Sequence, residues 1–74
     1  MNEEAVISII NKKTGLTKDV VVNLEITADE LIAGLSAAYG GEYNYLICDN
    51  PPAFLKGSKT LAEYRIHNAS QIII

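Results

Sequence analysis

Residues 59–74, KTLAEYRIHNASQIII, constrain the fold of this chain more than any other stretch. A short turn with apolar residues at Leu61, Tyr64 and Ile66 leads into the apolar run at residues 71–74. A run this short cannot bury its own side chains and must pair with strands from the rest of the chain. We therefore predict that the end of the sequence completes a sheet.

Four further strand segments are predicted upstream. The β-branched runs at residues 5–10 and 20–26 flank a polar loop with a central glycine, which predicts a β-hairpin. Residues 42–48 and 53–56 predict two shorter strands. Between them lies Asp-Asn-Pro-Pro, which interrupts pairing because proline has no amide hydrogen to donate. We expect the strand at 53–56 to lie at a sheet edge.

One amphipathic helix is predicted over residues 28–39. Thr27 and Glu30 have the spacing of a capping box, in which each side chain accepts the other's backbone amide. Gly40 follows the last turn and can adopt the left-handed conformation common at helix C-termini. The predicted apolar stripe comprises Leu31, Ile32, Leu35 and Ala38.

These elements predict an α+β fold, a β-grasp roll in which one helix packs on a mixed sheet of four to five strands. The chain has 74 residues, 49% of them hydrophobic and 20% charged. That length allows one domain, residues 1–74, and that composition is ordinary for a globular protein.

The charge pattern and the single cysteine exclude several functions. The net charge is −3 and the six basic residues are scattered, so we predict no nucleic-acid surface. No apolar stretch approaches the length of a membrane helix, and the acidic start is unlike a secretion signal, so we predict no direct membrane insertion. Cys48 has no internal disulfide partner, which indicates a reducing compartment. We predict a cytoplasmic protein.

No pattern of residues predicts catalysis. The chain has one histidine, His67, and one cysteine, Cys48, and neither has a neighbouring group in the sequence that would activate it. Asp49 and Asn50 lack the further oxygen ligands of a calcium loop. We therefore predict a protein that is not an enzyme and that binds no metal or cofactor.

The closing segment resembles the corresponding end of ubiquitin. The resemblance rests on Thr60, Leu61, Tyr64, Ile66 and Ser70, followed by an apolar strand. The predicted helix start and the strand containing Leu46 and Ile47 fall in matching places. The resemblance implies a ubiquitin-like fold, in which the Tyr64 hydroxyl would bond to backbone over the closing turn.

Within that superfamily, conjugated modifiers and sulfur carriers need a flexible tail ending in Gly-Gly. This sequence ends in three isoleucines, and its only adjacent glycines, Gly40 and Gly41, are better explained as a helix cap. We therefore expect no conjugation. A tailless, stand-alone domain is similar to the YukD-like proteins of Gram-positive bacteria, which are cytoplasmic accessory components of type VII (ESX) secretion systems.

The YukD-like resemblance implies a protein partner, such as the membrane component of the secretion apparatus. Two alternatives remain open at this point. One is a modifier or sulfur carrier whose tail is missing from this sequence, and the other is a small regulatory subunit of an enzyme complex. The sequence does not predict an oligomeric state.

The sheet face away from the helix is the usual recognition surface of ubiquitin-like domains, and its central isoleucine matches Ile47. If Leu46 points to the helix, strand alternation turns Ile47 outward, and Ile73 lies beside it when Ile72 points inward. Leu16, in the first hairpin loop, would extend this patch. The sequence thus predicts protein-binding residues Ile47, Ile73 and Leu16, although isolated surface isoleucines are also common.

Tyrosines crowd the helix end and the third predicted strand. They are Tyr39, Tyr43 and Tyr45. We expect them to pack at the rim of the core with their hydroxyl groups in water, the alternative being a tyrosine-rich contact surface.

Overall fold

The computed structural model of the protein describes residues 3–74, which form one helix and five strands. The elements are β1 (Glu4–Ile10), β2 (Thr17–Asn23), α1 (Ala28–Tyr39), β3 (Leu46–Asp49), β4 (Ala53–Leu55) and β5 (Gln71–Ile73). The strand order is β2-β1-β5-β3-β4, with β1 and β5 parallel and the other pairs antiparallel. The predicted α+β architecture, one helix and a mixed sheet, is confirmed.

β5 completes the sheet, as predicted, and the structure places it as the central strand. It pairs with β1 on one side and with β3 on the other. The buried Ser70 precedes β5, and its hydroxyl donates a hydrogen bond to the Asn50 carbonyl at 2.6 Å while accepting one from the His67 amide at 3.0 Å. This hydroxyl ties the β3–β4 turn to the start of β5.

The hydrophobic core is built from side chains of the strands, the helix and the closing turn. Every second residue of β1 faces inward, as strand geometry requires. The buried apolar residues are Ala5, Ile7, Ile9, Val22, Ala28, Leu31, Leu35, Leu46, Cys48, Leu55, Leu61, Ile66 and Ile72. The prediction for the helix stripe is wrong at Ala38, which is exposed. The buried stripe begins one turn earlier, at Ala28, and ends at Leu35.

Two strands, β2 and β3, differ from their predicted bounds by more than one residue. β2 lies three residues earlier in the sequence than predicted, because Asn23 begins a turn. Its side-chain oxygen accepts the Glu25 amide at 2.8 Å and its carbonyl accepts the Ile26 amide at 3.3 Å, which ends strand pairing. β3 begins at Leu46 rather than residue 42, because its pairing with β4 starts there.

The helix caps follow the prediction. The Glu30 amide donates to the Thr27 hydroxyl and the Thr27 amide to the Glu30 carboxylate, both at 3.1 Å. At the other end, Gly40 has a φ of 72°, and its amide donates to the Ser36 carbonyl at 2.8 Å. Both ends of α1 are therefore fixed by local sequence.

A second, unpredicted capping box fixes the closing turn. The Thr60 amide donates to the Glu63 carboxylate at 3.1 Å, and the Glu63 amide donates to the Thr60 hydroxyl at 3.2 Å. The Thr60 hydroxyl also donates to the Glu63 carboxylate, at 3.1 Å, and the two bonds that this carboxylate accepts from Thr60 hold the pKa of the Glu63 carboxyl below its ordinary value. The turn they stabilise positions Leu61, which is fully buried.

The pKa of Glu63 predicts a pH dependence of stability. A carboxyl whose pKa is lowered by folding stabilises the protein above its ordinary pKa, and that stabilisation is lost as the pH falls through the lowered value. Between about pH 6 and pH 3, the thermal midpoint of the wild type should therefore fall more than that of Glu63→Gln, whose amide oxygen accepts the same bonds without titrating. Circular dichroism melts at several pH values would measure this.

Glu42→Gln is the matched control for that series, because it removes the same charge from an exposed position outside both caps. Its midpoint should follow the wild-type pH dependence. If the curves of wild type and Glu63→Gln run parallel, the closing turn does not contribute to the acid sensitivity of the domain.

Tyr64 closes the same turn through its hydroxyl group. The hydroxyl donates to the Lys56 carbonyl at 2.8 Å and accepts the Lys56 amide at 3.3 Å. The Lys59 ammonium nitrogen lies 4.7 Å from the ring centroid, within cation–π distance. The backbone bond implied by the resemblance is thus present.

Tyr64→Phe should lower the free energy of unfolding by about 0.5–1.5 kcal/mol, the usual net value of such a hydrogen bond. Urea unfolding followed by circular dichroism would measure the change. Tyr39→Phe removes a hydroxyl from an exposed tyrosine and should leave stability unchanged within about 0.5 kcal/mol. Equal midpoints for Tyr64→Phe and wild type would show that water replaces the bond without cost.

Candidate protein-interaction surface

One row of side chains crosses all five strands on the sheet face away from the helix. The strand register pairs Thr17 with Ile10, Ile10 with Ile73, Ile73 with Ile47, and Ile47 with Phe54. Residues paired across neighbouring strands point to the same face of the sheet. We call Ile10, Ile73, Ile47 and Phe54 the apolar row.

The orientation of the row follows from the burial of its sequence neighbours. Ile9 and Ile72, which pair with each other, are buried, and so are Leu46 and Leu55. Side chains alternate between faces along a strand, so the residue next to each of these points away from the core. The apolar row therefore lies on the outer face.

Phe54 is the most exposed member of the row, at 68% of its surface, while its three isoleucines are half-buried. Tyr45, also exposed, packs edge-on against Phe54 with the ring centroids 5.6 Å apart and the planes at 81°. Ile47, Ile73, Phe54 and Pro52 help line a surface cavity of about 420 Å³. The face thus presents contiguous apolar and aromatic surface, the usual character of a protein contact.

Polar residues border the apolar row on one side. The neighbouring row of outward-facing residues is polar and has one residue from each of β2, β1, β5 and β3. Its members are Asp19, Ser8, Gln71 and Asp49. The Ser8 hydroxyl donates to the Asp19 carboxylate at 2.9 Å. The second polar border is Lys56, which lines a cavity with Tyr45 and Phe54. The apolar row therefore has acidic residues along one side and a lysine at the Phe54 end.

Of the three residues that the sequence predicted, the structure brings two together. Ile47 and Ile73 are direct cross-strand partners. Leu16 lies elsewhere, in a cavity that it lines with Lys18 and with Tyr39 at the end of α1. Neither isoleucine lines that cavity.

Sequence reasoning missed two residues of this face, Phe54 and Tyr45. The signal for Phe54 was present, because in the strand Ala53–Leu55 an inward Leu55 requires an outward Phe54. Tyr39, Tyr43 and Tyr45 were all expected to pack at the core rim, but only Tyr43 packs against the core, while Tyr39 and Tyr45 are exposed. Tyr45 precedes β3 and is exposed.

The two most reactive side chains differ in burial, since Cys48 is buried and His67 is exposed. Burial, with a smaller contribution from the charge of Asp49, raises the pKa of the Cys48 thiol to about 11, so the thiol is protonated at neutral pH. The exposed His67 ring nitrogen Nδ1 is 2.6 Å from the Asn68 carbonyl oxygen. Within residues 3–74, no three histidine, cysteine or acidic side chains are grouped to hold a metal ion. The same residues contain no helix with the length and apolar character to cross a membrane.

Comparison with known proteins gives matches by structure. No protein-family model and no curated protein sequence matches this chain. A protein designed de novo on the basis of ubiquitin superposes with a TM-score of 0.73 and 25% identity, over 95% of this chain and 84% of that chain. The ubiquitin-like domain of tubulin-binding cofactor B superposes with a TM-score of 0.82 and 15% identity, over 99% and 89% of the two chains. The fold is ubiquitin-like.

A third ubiquitin-like structure agrees with this assignment. The ubiquitin-like domain of Plasmodium falciparum Dsk2 matches with a TM-score of 0.72 and 15% identity, over 96% of this chain and 97% of that chain. At this identity the likeness establishes the fold alone. The predicted β-grasp, ubiquitin-like fold is confirmed, and the face with the apolar row is the sheet face of a ubiquitin-like domain.

Proposed function

We propose that this ubiquitin-like domain is a non-enzymatic interaction module that binds a protein partner through the apolar row and Tyr45. The observation that supports this most is that Ile47 pairs with Ile73 on one neighbouring strand and with Phe54 on the other, so the three side chains lie side by side. Their contiguity distinguishes them from scattered surface isoleucines, which need no partner.

The physical properties of the row suit a binding surface. Phe54 and Tyr45 are large aromatic side chains, the type that most often supplies binding energy when it enters a pocket of the partner. The isoleucines are half-buried in a hydrogen-bonded sheet, so little conformational entropy is lost when a partner covers them. The bordering aspartates and Lys56 provide charges that a partner can match at the rim.

For the partner, we propose a component of a type VII secretion system, with this domain acting as a cytoplasmic accessory protein. The support is the resemblance of the sequence to the YukD-like proteins, together with the ubiquitin-like fold. In this role the domain acts by holding proteins together and performs no chemistry itself.

The experiment is an affinity capture from lysate of the source organism with three baits. They are the wild type, the double variant Ile47→Arg/Ile73→Arg, and the control Val6→Arg/Val21→Arg. Val6 and Val21 are a cross-strand pair of exposed apolar residues, separated from the apolar row by the polar residues. The control therefore adds the same charges to the same face outside the proposed site.

Wild type and control should retain the same secretion-system proteins, and the isoleucine variant should lose them while keeping a wild-type circular dichroism spectrum. If all three baits retain the same proteins, the sheet-face assignment is wrong. If retention depends on the isoleucines but the captured proteins belong to other machinery, the secretion assignment fails and the interaction module stands. Covalent attachment of the bait to other proteins would identify a modifier instead.

A further inference from the structure

We propose a second protein-binding site at the β1–β2 hairpin loop, whose ligand is an acidic peptide segment with a large apolar side chain, leucine or phenylalanine, at its centre. The site is the cavity of about 430 Å³ lined by Asn11, Thr14, Leu16, Thr17, Lys18 and Tyr39. We call it the loop site. It is separate from the apolar row and does not rest on the function proposed for that row.

Leu16 and Tyr39 give the loop site its apolar surface. Leu16 is 71% exposed, the largest exposed fraction among the large hydrophobic residues of the described chain, and Tyr39 is also exposed. Continued strand alternation places Leu16 on the same face as Lys18 and the buried Val22 of β2, which is the helix side of the sheet. Tyr39 ends α1 on that side.

Hydrogen bonds hold the loop in a defined conformation. The Asn11 carbonyl accepts the Gly15 amide at 2.8 Å, and the Asn11 side chain accepts the Lys13 amide at 2.9 Å. The Asn11 amide donates to the Leu16 carbonyl at 2.9 Å, and Gly15 has the left-handed φ of 73° that this turn requires. Leu16 is therefore presented by an ordered turn, which reduces the entropy lost on binding.

The hairpin loop and the start of β2 carry a charge opposite to that of the whole protein. The chain has a net charge of −3, yet three of its six basic residues, Lys12, Lys13 and Lys18, fall in this loop and at the start of β2. No acidic residue occurs between residues 5 and 18, and none lines the cavity. The adjacent Asp19 faces the other side of the sheet, where it accepts the Ser8 hydroxyl.

This combination determines the chemistry of the ligand. Three lysines in an acidic protein attract carboxylates, and charge complementarity of this kind steers association and selects partners. The cavity between Leu16 and Tyr39 provides a contact for a leucine or phenylalanine side chain of the same segment. An acidic segment with an apolar residue satisfies both features at once.

The test is an NMR titration of the ¹⁵N-labelled chain with three capped hexapeptides of sequence EELFEE, QQLFQQ and KKLFKK. The acidic peptide should shift the amides of Gly15, Leu16, Lys18 and Tyr39, and the shifts should weaken with added salt because the lysine contacts are exposed. The glutamine peptide should bind on the order of tenfold more weakly and the lysine peptide should not bind.

Variants test the lysines and Leu16 separately and distinguish the loop site from the apolar row. Lys12→Glu/Lys13→Glu/Lys18→Glu should abolish binding of EELFEE, and Leu16→Ser should weaken it on the order of tenfold, because each removes one of the two features. Ile47→Arg should bind it as the wild type does, so failure here is distinguishable from failure of the sheet-face proposal.

Three results would overturn the loop site. The first is an absence of shifts with EELFEE at millimolar concentration. The second is that the shifts map to the apolar row, or are equal for the acidic and glutamine peptides. The third is that vesicles with anionic headgroups affect these amides while the peptide does not, which would make the loop a membrane contact.

Discussion

Replacing Leu61 by alanine is expected to lower the free energy of unfolding by about 2–5 kcal/mol, the usual cost of truncating a buried leucine. Leu61 is fully buried, and its amide donates to the Ile26 carbonyl at 2.9 Å. The capping box of Thr60 and Glu63 fixes the backbone on either side. Because the turn cannot easily move inward, the cavity left by the missing side chain should remain largely open.

A loss of that size is a large part of the total stability of a domain this small, which is about 0.05–0.15 kcal/mol per residue. Urea unfolding monitored by circular dichroism would measure it. Leu16→Ala is the matched control, since it makes the same change at a position that is 71% exposed and should alter stability by less than about 0.5 kcal/mol. Similar losses for the two variants would contradict the placement of Leu61 in the core.

Phe54→Ala is expected to weaken binding of the sheet-face partner by about thirtyfold or more, the loss typical of an aromatic hot spot. Phe54 lies at one end of the apolar row with most of its side chain in solvent. A partner that covers Ile47 and Ile73 would bury this ring, and truncation would remove its contacts with the partner and with Tyr45.

The stability cost of Phe54→Ala should be small, below about 1.5 kcal/mol, because the ring contributes mainly its edge-on contact with Tyr45. Calorimetry with the partner identified by affinity capture would measure binding, and thermal unfolding would measure stability. Val21→Ala, at 63% exposure on the same face, should leave affinity unchanged. If Phe54→Ala binds the partner with wild-type affinity, the main binding energy of the interface does not come from Phe54.

The parts of the fold that the sequence predicted depend on local signals. Thr27, Glu30 and Gly40 fix both ends of α1 through contacts within a few residues, so the helix bounds could be read from the sequence. That the closing segment completes the sheet followed from its apolar character, whereas the central position of β5 depends on its pairing with both β1 and β3. By contrast, the early end of β2 depends on one asparagine, Asn23, whose side chain competes with strand pairing.

The candidate site was less accessible to sequence reasoning because it depends on register between distant strands. Alternation alone predicts that Ile47 and Ile73 point the same way, but their partnership with Phe54 requires the alignment of β3 with β4. Leu16 illustrates the same difficulty. The side of the sheet on which Leu16 lies depends on where β2 begins. Because β2 begins at Thr17 rather than residue 20, Leu16 lies with Lys18 on the helix side of the sheet.

The central place of β5 has a consequence for synthesis of the protein. β1 and β3 are connected in the sheet only through β5, which is synthesised last of the five strands. Ile9 of β1 pairs with Ile72 of β5, and nearly the whole described chain lies between these two residues in sequence. Until β5 has left the ribosome, the nascent chain therefore leaves one edge of β1 and one edge of β3 unpaired and open to chaperones and proteases. The complete sheet can form only after β5 has left the exit tunnel, and its formation includes closing this long loop, which slows folding.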